Sequence, residues 1–163
     1  MIILSIGTNI GDRKQNIKKA ITALNEISIV TAISPIYSSE PWGFESENGF
    51  YNIALILETS LSPIDLLRET QRIEKELGRT AKTTTAYADR VIDIDIIDYN
   101  NQVIDSSTLV IPHRLMHQRN FVLYPLVDIA PEWQHPKLKL TAFELKNKSI
   151  DTSNPTLLND VKL

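Results

Sequence analysis

The residues with the clearest chemical content lie in the stretch Ile92-Asp93-Ile94-Asp95-Ile96. In an extended strand successive side chains point to opposite faces, so the three isoleucines share one face and the two aspartates the other. The carboxylates would stand roughly 7 Å apart along the strand. Aspartate is depleted in strands, and like charges on one face repel. Two readings stand. Either the aspartates form the wet face of a half-buried sheet, or a hard cation resolves their repulsion. Mg2+ is commonly held by one or two carboxylates together with substrate phosphates. The spacing would serve one ion or two.

A second concentration of titratable groups is Pro112-His113-Arg114-Leu115-Met116-His117-Gln118-Arg119. It reads in three ways: a His-x-x-x-His zinc pair, a solvated polar turn, or a cluster in which arginines grip phosphate oxygens and His113 donates to one. Arg79 and Arg90 bracket an aperiodic segment with three consecutive threonines. Arg90 precedes Asp93 by three residues, which suggests a mobile cover closing over phosphates beside the carboxylates. Both arginines also read as ordinary surface residues. Asn52 interrupts an apolar strand, where a buried amide needs partners and can read the edge of a heterocycle. Ser39 and the aromatics Trp42, Phe44, Phe50 and Phe121 are candidates to surround it, although aromatics are most often core. Gly7-Thr8-Asn9-Ile10-Gly11-Asp12 lacks the Lys-Ser/Thr ending of a phosphate loop and fails the G-x-G-x-x-G pattern, so it reads as a strand-to-helix turn.

Several elements must position these groups. Met1 to Ile6 is a β-branched strand, and Asp12 with Gln15 resembles a capping box. Ile17, Ala20, Ile21 and Leu24 then mark one helix face. Ile29 to Tyr37 reads as a strand, followed by a loop from Ser38 to Gly49. Tyr51 to Glu58 is the next strand. Ser62-Pro63 opens a helix with Leu66, Thr70, Ile73 and Leu77 on its inner stripe and Gly78 at its end. Val91 to Tyr99 is a strand, with Asn100-Asn101 as a hairpin turn into Gln102 to Ile104. Asn120 to Ile129 reads as a short helix. The order predicts an α+β, ferredoxin-like split βαβ sandwich: an antiparallel sheet with helices on one face and a C-terminal extension.

The chain of 163 residues is expected to form one domain over 1–163, with a loosely attached polar tail from about 147. Its net charge of -3 argues against a nucleic-acid surface, and the lack of cysteine excludes disulfides, thiolate nucleophiles and Cys-ligated zinc. The short apolar start lacks a basic region, and no stretch reaches a membrane-spanning length, so a cytoplasmic protein without nucleic-acid or membrane partners is expected.

Taken together, LSIGTNIGDR, SSEPWG, FYNIALILET, QRIEKELGR, DRVIDIDII and IPHRLMHQRNFVLYPLVDIAPE, from Ile3 to about Glu132, resemble the 6-hydroxymethyl-7,8-dihydropterin pyrophosphokinase family. The acidic strand, the Pro-His segment and the Phe-Tyr-Asn strand together make this a specific match. The resemblance implies pyrophosphoryl transfer from ATP to a pterin hydroxymethyl oxygen, releasing AMP, in folate biosynthesis. It implies two Mg2+ ions between Asp93, Asp95 and the triphosphate, with Arg79, Arg90 and Asp95 catalytic. It places Gln71, Glu74, Arg79, Arg90, His113 and Arg119 on ATP. It places Ser39, Trp42, Phe50, Asn52 and Phe121 around the pterin, with Phe121 and an opposing ring stacking on it. A monomer acting on small molecules is expected. The chain departs from the family pattern in carrying Ala81 where a second arginine is common. Ala86-Tyr87-Ala88-Asp89-Arg90 replaces the usual Arg-Trp-Gly-Pro-Arg, in a slightly longer loop. Arg114 follows His113 where an aromatic residue or proline is frequent. Alternatives are another two-carboxylate Mg-dependent phosphoryl or nucleotidyl transferase, or a ferredoxin-like ligand- or RNA-binding module.

Overall fold

Strand β1 (Ile2–Thr8) runs between β4 (Phe50–Glu58) and β5 (Asp93–Tyr99) and is antiparallel to both. The computed structural model describes residues 1–43, 45–78, 89–161 and 163. On the far side of β4 lie β2 (Ile29–Ile33) and β3 (Tyr37–Ser39), and the two-residue β8 (Thr156–Leu157) pairs outside β3. Every pairing in this six-stranded sheet is antiparallel, in the order β5-β1-β4-β3-β8 with β2 also on β4.

Residue alternation divides the sheet into two faces. Ile2, Leu4 and Ile6 of β1, Ile53, Leu55 and Leu57 of β4, and Ile94 and Ile96 of β5 belong to one buried cluster. It is covered by α1 (Arg13–Asn25) through Ile17, Ala20 and Leu24, and by α2 (Pro63–Glu76) through Leu66 and Ile73. Burying a Leu or Ile side chain of this kind contributes about 1.5–3 kcal/mol, so this stripe-on-sheet contact dominates the fold's stability. The opposite face begins with Ile3, Ala54 and Ile97, covered by Val122, Leu123 and Leu126 of α3 (Asn120–Ile129) and by Ala142 and Leu145 of α4 (Ala142–Lys148). The ferredoxin-like unit thus keeps its two helices on one face, and the C-terminal extension adds helices to part of the other.

The local signals act as sequence chemistry demands. The Asp12 carboxylate caps α1 by accepting from the Gln15 amide at 3.0 Å, and Ser62 caps α2. Gly78, just past α2, has φ +105, a conformation that costs glycine little. Three expectations are corrected. The strand expected over Ile29 to Tyr37 is two strands, because Ser34-Pro35 breaks the ladder: proline has no N–H to donate. Asn100 and Asn101 do form a left-handed turn, with φ 51 and 56, but β5 has no hairpin partner beyond it. The following strand, β6 (Ile104–Asp105), pairs with β7 (Val110–Ile111) instead. The polar tail is not loosely attached. The Asn120 amide and side chain donate to Asp151 and Ser153 at 2.7–2.9 Å, and the Leu158 amide donates to the Ile36 carbonyl at 2.9 Å.

Candidate active site

The face covered by α3 and α4 turns polar along its length. Ile3 gives way to Ser5 and Gly7 on β1, Ala54 to Asn52 on β4, and Ile97 to Asp95 and Asp93 on β5. Register places Ser5 opposite Asp95, and Gly7 opposite both Asp93 and Asn52. These residues floor a cleft whose walls are Ser39, Glu40, Trp42, Phe50, Arg90, Arg119 and Phe121. A concave site with aromatic walls and a few convergent polar groups is the expected form of a small-molecule site.

At the acidic end, Asp93 and Asp95 are half-buried on the cleft side, while their isoleucine neighbours pack beneath. Arg90 Nη1 donates to Asp93 Oδ2 at 2.8 Å. His113 Nε2 lies 4.0 Å from Asp95 Oδ2. The Leu115 amide approaches His113 Nδ1 at 3.4 Å, an arrangement that leaves the ring proton on Nε2, toward Asp95. The repulsion foreseen between the two carboxylates is therefore met by a cation on one and an imidazole on the other. Both are hard oxygen donors, and no group of three or more metal-binding side chains exists among the described residues. That donor set suits Mg2+, which keeps waters and substrate phosphates as its remaining ligands.

At the aromatic end, Asn52 is 2% exposed and its Nδ2 donates to Ser39 Oγ at 2.8 Å. Trp42 and Phe121 meet edge-on with centroids 6.5 Å apart. The Arg119 guanidinium, also buried, stands 4.7 Å over Trp42 and 5.7 Å from Phe121. Arg119, a candidate for the phosphates, thus lines the cleft beside its aromatic rings.

Of the other expected residues, Gln71, Glu74 and His113 lie outside the lining. Glu74, 3% exposed, accepts from the Ile94 amide at 2.7 Å and so holds β5 from below. Gln71 is exposed one turn earlier on α2. His117 and His113 do not form a zinc pair: His117 turns toward His135, with ring centroids 6.2 Å apart, while His113 faces Asp95. Arg79, with Phe44, Ala81, Lys82 and Tyr87, lies outside the described residues. Ser5, Gly7 and Glu40 line the cleft without having been singled out. The signal for the first two was the small, polar parity of Ile3-Ser5-Gly7 in an otherwise apolar strand.

The family description 7,8-dihydro-6-hydroxymethylpterin-pyrophosphokinase matches residues 3–131, a span that contains every residue lining the cleft. The chain belongs to this family. The pyrophosphokinase of Aquifex aeolicus is 40% identical over 145 residues, covering 89% of each chain. That of Porphyromonas gingivalis is 43% identical over 140 residues, covering 84% of this chain and 95% of its own. Both carry the name 2-amino-4-hydroxy-6-hydroxymethyldihydropteridine pyrophosphokinase. The fold matches the crystal structure of wild-type Plasmodium falciparum HPPK-DHPS with pteroate at TM-score 0.72 and 17% identity, over 90% of this chain and 44% of that one.

Proposed function

We propose that the cleft binds 6-hydroxymethyl-7,8-dihydropterin at its aromatic end and the ATP triphosphate at its acidic end. The protein is a pyrophosphokinase of folate biosynthesis with ATP as co-substrate. In the transfer, the pterin hydroxymethyl oxygen forms a bond to the β-phosphorus of ATP as the bond linking the β-phosphorus to the α-phosphate oxygen breaks. AMP leaves with that oxygen, and the hydroxyl proton must go to a base. The observation that carries the arrangement is the shared strand face: Asp93 and Asp95 look into the same cleft as Asn52, Phe50 and Phe121.

Each residue has a task in this reading. Asn52, held by Ser39, pairs with the polar edge of the pterin, and Phe50, Phe121 and Trp42 cover its faces and exclude water. Asp95, beside the His113 Nε2 proton, orients the attacking hydroxyl or accepts its proton. Arg90, anchored on Asp93, neutralises charge that develops on the transferred group. His113, Arg79 and Arg119 add phosphate donors, with Gln71 and Glu74 on the nucleotide side. Asp93 and Asp95 would hold two magnesium ions, which supply charge neutralisation of the triphosphate. We place this chemistry in the cytoplasm, in a monomer that acts on small molecules alone. The net charge of -3 supplies no general basic surface for nucleic acid.

Product analysis tests the reaction. With ATP, magnesium and the hydroxymethylpterin, AMP should form in equimolar amount with the pterin pyrophosphate. ADP would indicate ordinary kinase chemistry, and absence of turnover a binding module.

A further inference from the structure

Asp89 receives more hydrogen bonds than its exposed position requires. Its carboxyl is held below the usual range by the Ser46 hydroxyl first, then by the side chains of Asn48 and Asn9. Asn9 Nδ2 donates to Asp89 Oδ1 at 2.7 Å, and Asn48 Nδ2 donates to Asp89 Oδ2 at 2.9 Å. Each carboxylate oxygen thus faces a side-chain amide from a different segment.

Those two segments lead to opposite ends of the cleft. Asn9, 3% exposed, also grips the backbone of Arg90, accepting from its amide at 2.7 Å and donating to its carbonyl at 3.2 Å. Arg90 in turn reaches Asp93. Asn48 stands two residues before Phe50, the first residue of β4 and part of the aromatic wall. Asn9 Nδ2 also donates to the Asn48 carbonyl at 3.2 Å, and Arg13 Nη1 donates to the Gly49 carbonyl at 2.8 Å. Charged acceptors give the strongest hydrogen bonds of this kind, so Asp89 is the member whose loss would loosen the others most.

We propose that Asp89 is a positioning residue for the transfer. It ties the segment before Phe50 to the backbone of Arg90, so that the wall beside one substrate and the cation beside the other keep a fixed separation. This rests on the reading that pterin and triphosphate occupy the two ends of the cleft. The demand is geometric: the hydroxymethyl oxygen and the β-phosphorus must meet in line, and misplacement of about 1 Å can cost a hundredfold in rate.

The test reverses the polarity of one hydrogen bond. In Asp89→Asn, one amide nitrogen must face a donor, so one bond is lost. Adding Asn48→Asp restores it with donor and acceptor exchanged. Asp89→Asn should lower kcat about tenfold and raise KM for the pterin severalfold, with the melting temperature nearly unchanged. The Asp89→Asn, Asn48→Asp double variant should recover most of both. Calorimetry with the pterin alone should show the same loss and recovery in affinity. A kcat and KM within twofold of the unaltered protein in Asp89→Asn overturns the proposal. So does a double variant no better than the single, or an activity loss that only follows loss of folded protein. Failure of the unaltered protein to form AMP would instead overturn the assigned reaction.

Discussion

Gly7 faces Asn52 so closely that a Cβ added at Gly7 would lie 3.3 Å from Asn52 Oδ1 and 3.6 Å from Phe50 Cδ1. The glycine keeps the cleft floor open between the Asn52 amide and the acidic strand. Gly7→Ala should push the Asn52 side chain by a few tenths of an ångström. Its expected outcome is a pterin affinity at least tenfold weaker with ATP affinity within twofold, measured by calorimetry. Equal weakening of both ligands would mean that the whole floor had shifted.

Asn52→Ala removes the amide itself. A site built to pair polar edges discriminates strongly through them, because the unpaired group on the other side remains. Pterin affinity should fall by two orders of magnitude or more, with a small change for ATP. Ser39→Ala, which removes only the support of Asn52, should produce a weaker version of the same pattern. Comparable losses for the two ligands in Asn52→Ala would assign the amide to the fold.

Asp93→Asn and Asp95→Asn should each lower single-turnover rates by several orders of magnitude while circular dichroism stays unchanged. Relief of like-charge repulsion suggests a raised melting temperature on sequence grounds. The Arg90 contact at 2.8 Å removes that expectation for Asp93, since the variant also loses a half-buried ion pair. Arg90→Ala should lower kcat strongly. Near-normal turnover in both aspartate variants would remove magnesium from this strand.

Glu74 lies beneath the site, and its tested property is stability. β5 is an edge strand, and Glu74 accepts from its Ile94 amide. Glu74→Ala should cost about 1–3 kcal/mol, the penalty for a buried polar group without its partner. Glu74→Gln, which keeps an acceptor oxygen, should cost less. Urea unfolding measures both. An Ala variant of unchanged stability with a raised KM for ATP would return Glu74 to the nucleotide.

His135 supplies a pH-dependent component of stability. Its Nδ1 accepts from the Lys137 and Leu138 amides at 3.2 and 3.1 Å, and its ring packs beside Trp133. Burial first, then the proximity of His117 and Lys137, pushes its pKa down from 6.5 to about 4. The folded state therefore binds fewer protons than the unfolded state between these values. The stabilisation is complete above about pH 6.5 and falls as the pH drops toward 4, by up to about 1.4 kcal/mol per unit. His135→Gln should flatten that slope in urea unfolding at pH 7.5, 6 and 5. An unchanged slope would show that His135 titrates normally.

The sequence alone determined the main strands and helices and which face of each carries which residues. The Ile-Asp alternation puts both carboxylates on one face wherever a strand forms, and the stripes of Ile17, Ala20 and Leu24 and of Leu66, Thr70 and Ile73 emerge buried as their spacing requires. These are local periodicities, set by backbone geometry within a few residues. Only the tertiary structure decided what lies across from each group. Pairing register brought Gly7 between Asn52 and Asp93, and placed Ser5 against Asp95. Packing turned Arg119 onto Trp42 and sent Glu74 beneath β5. The hydrogen bonds joining Asn9 to Asp89 and Asn48 to Asp89 span 80 and 41 positions of chain. Separations of that length leave no trace in local periodicity, because the contact depends on where two independent loops arrive once the sheet has closed.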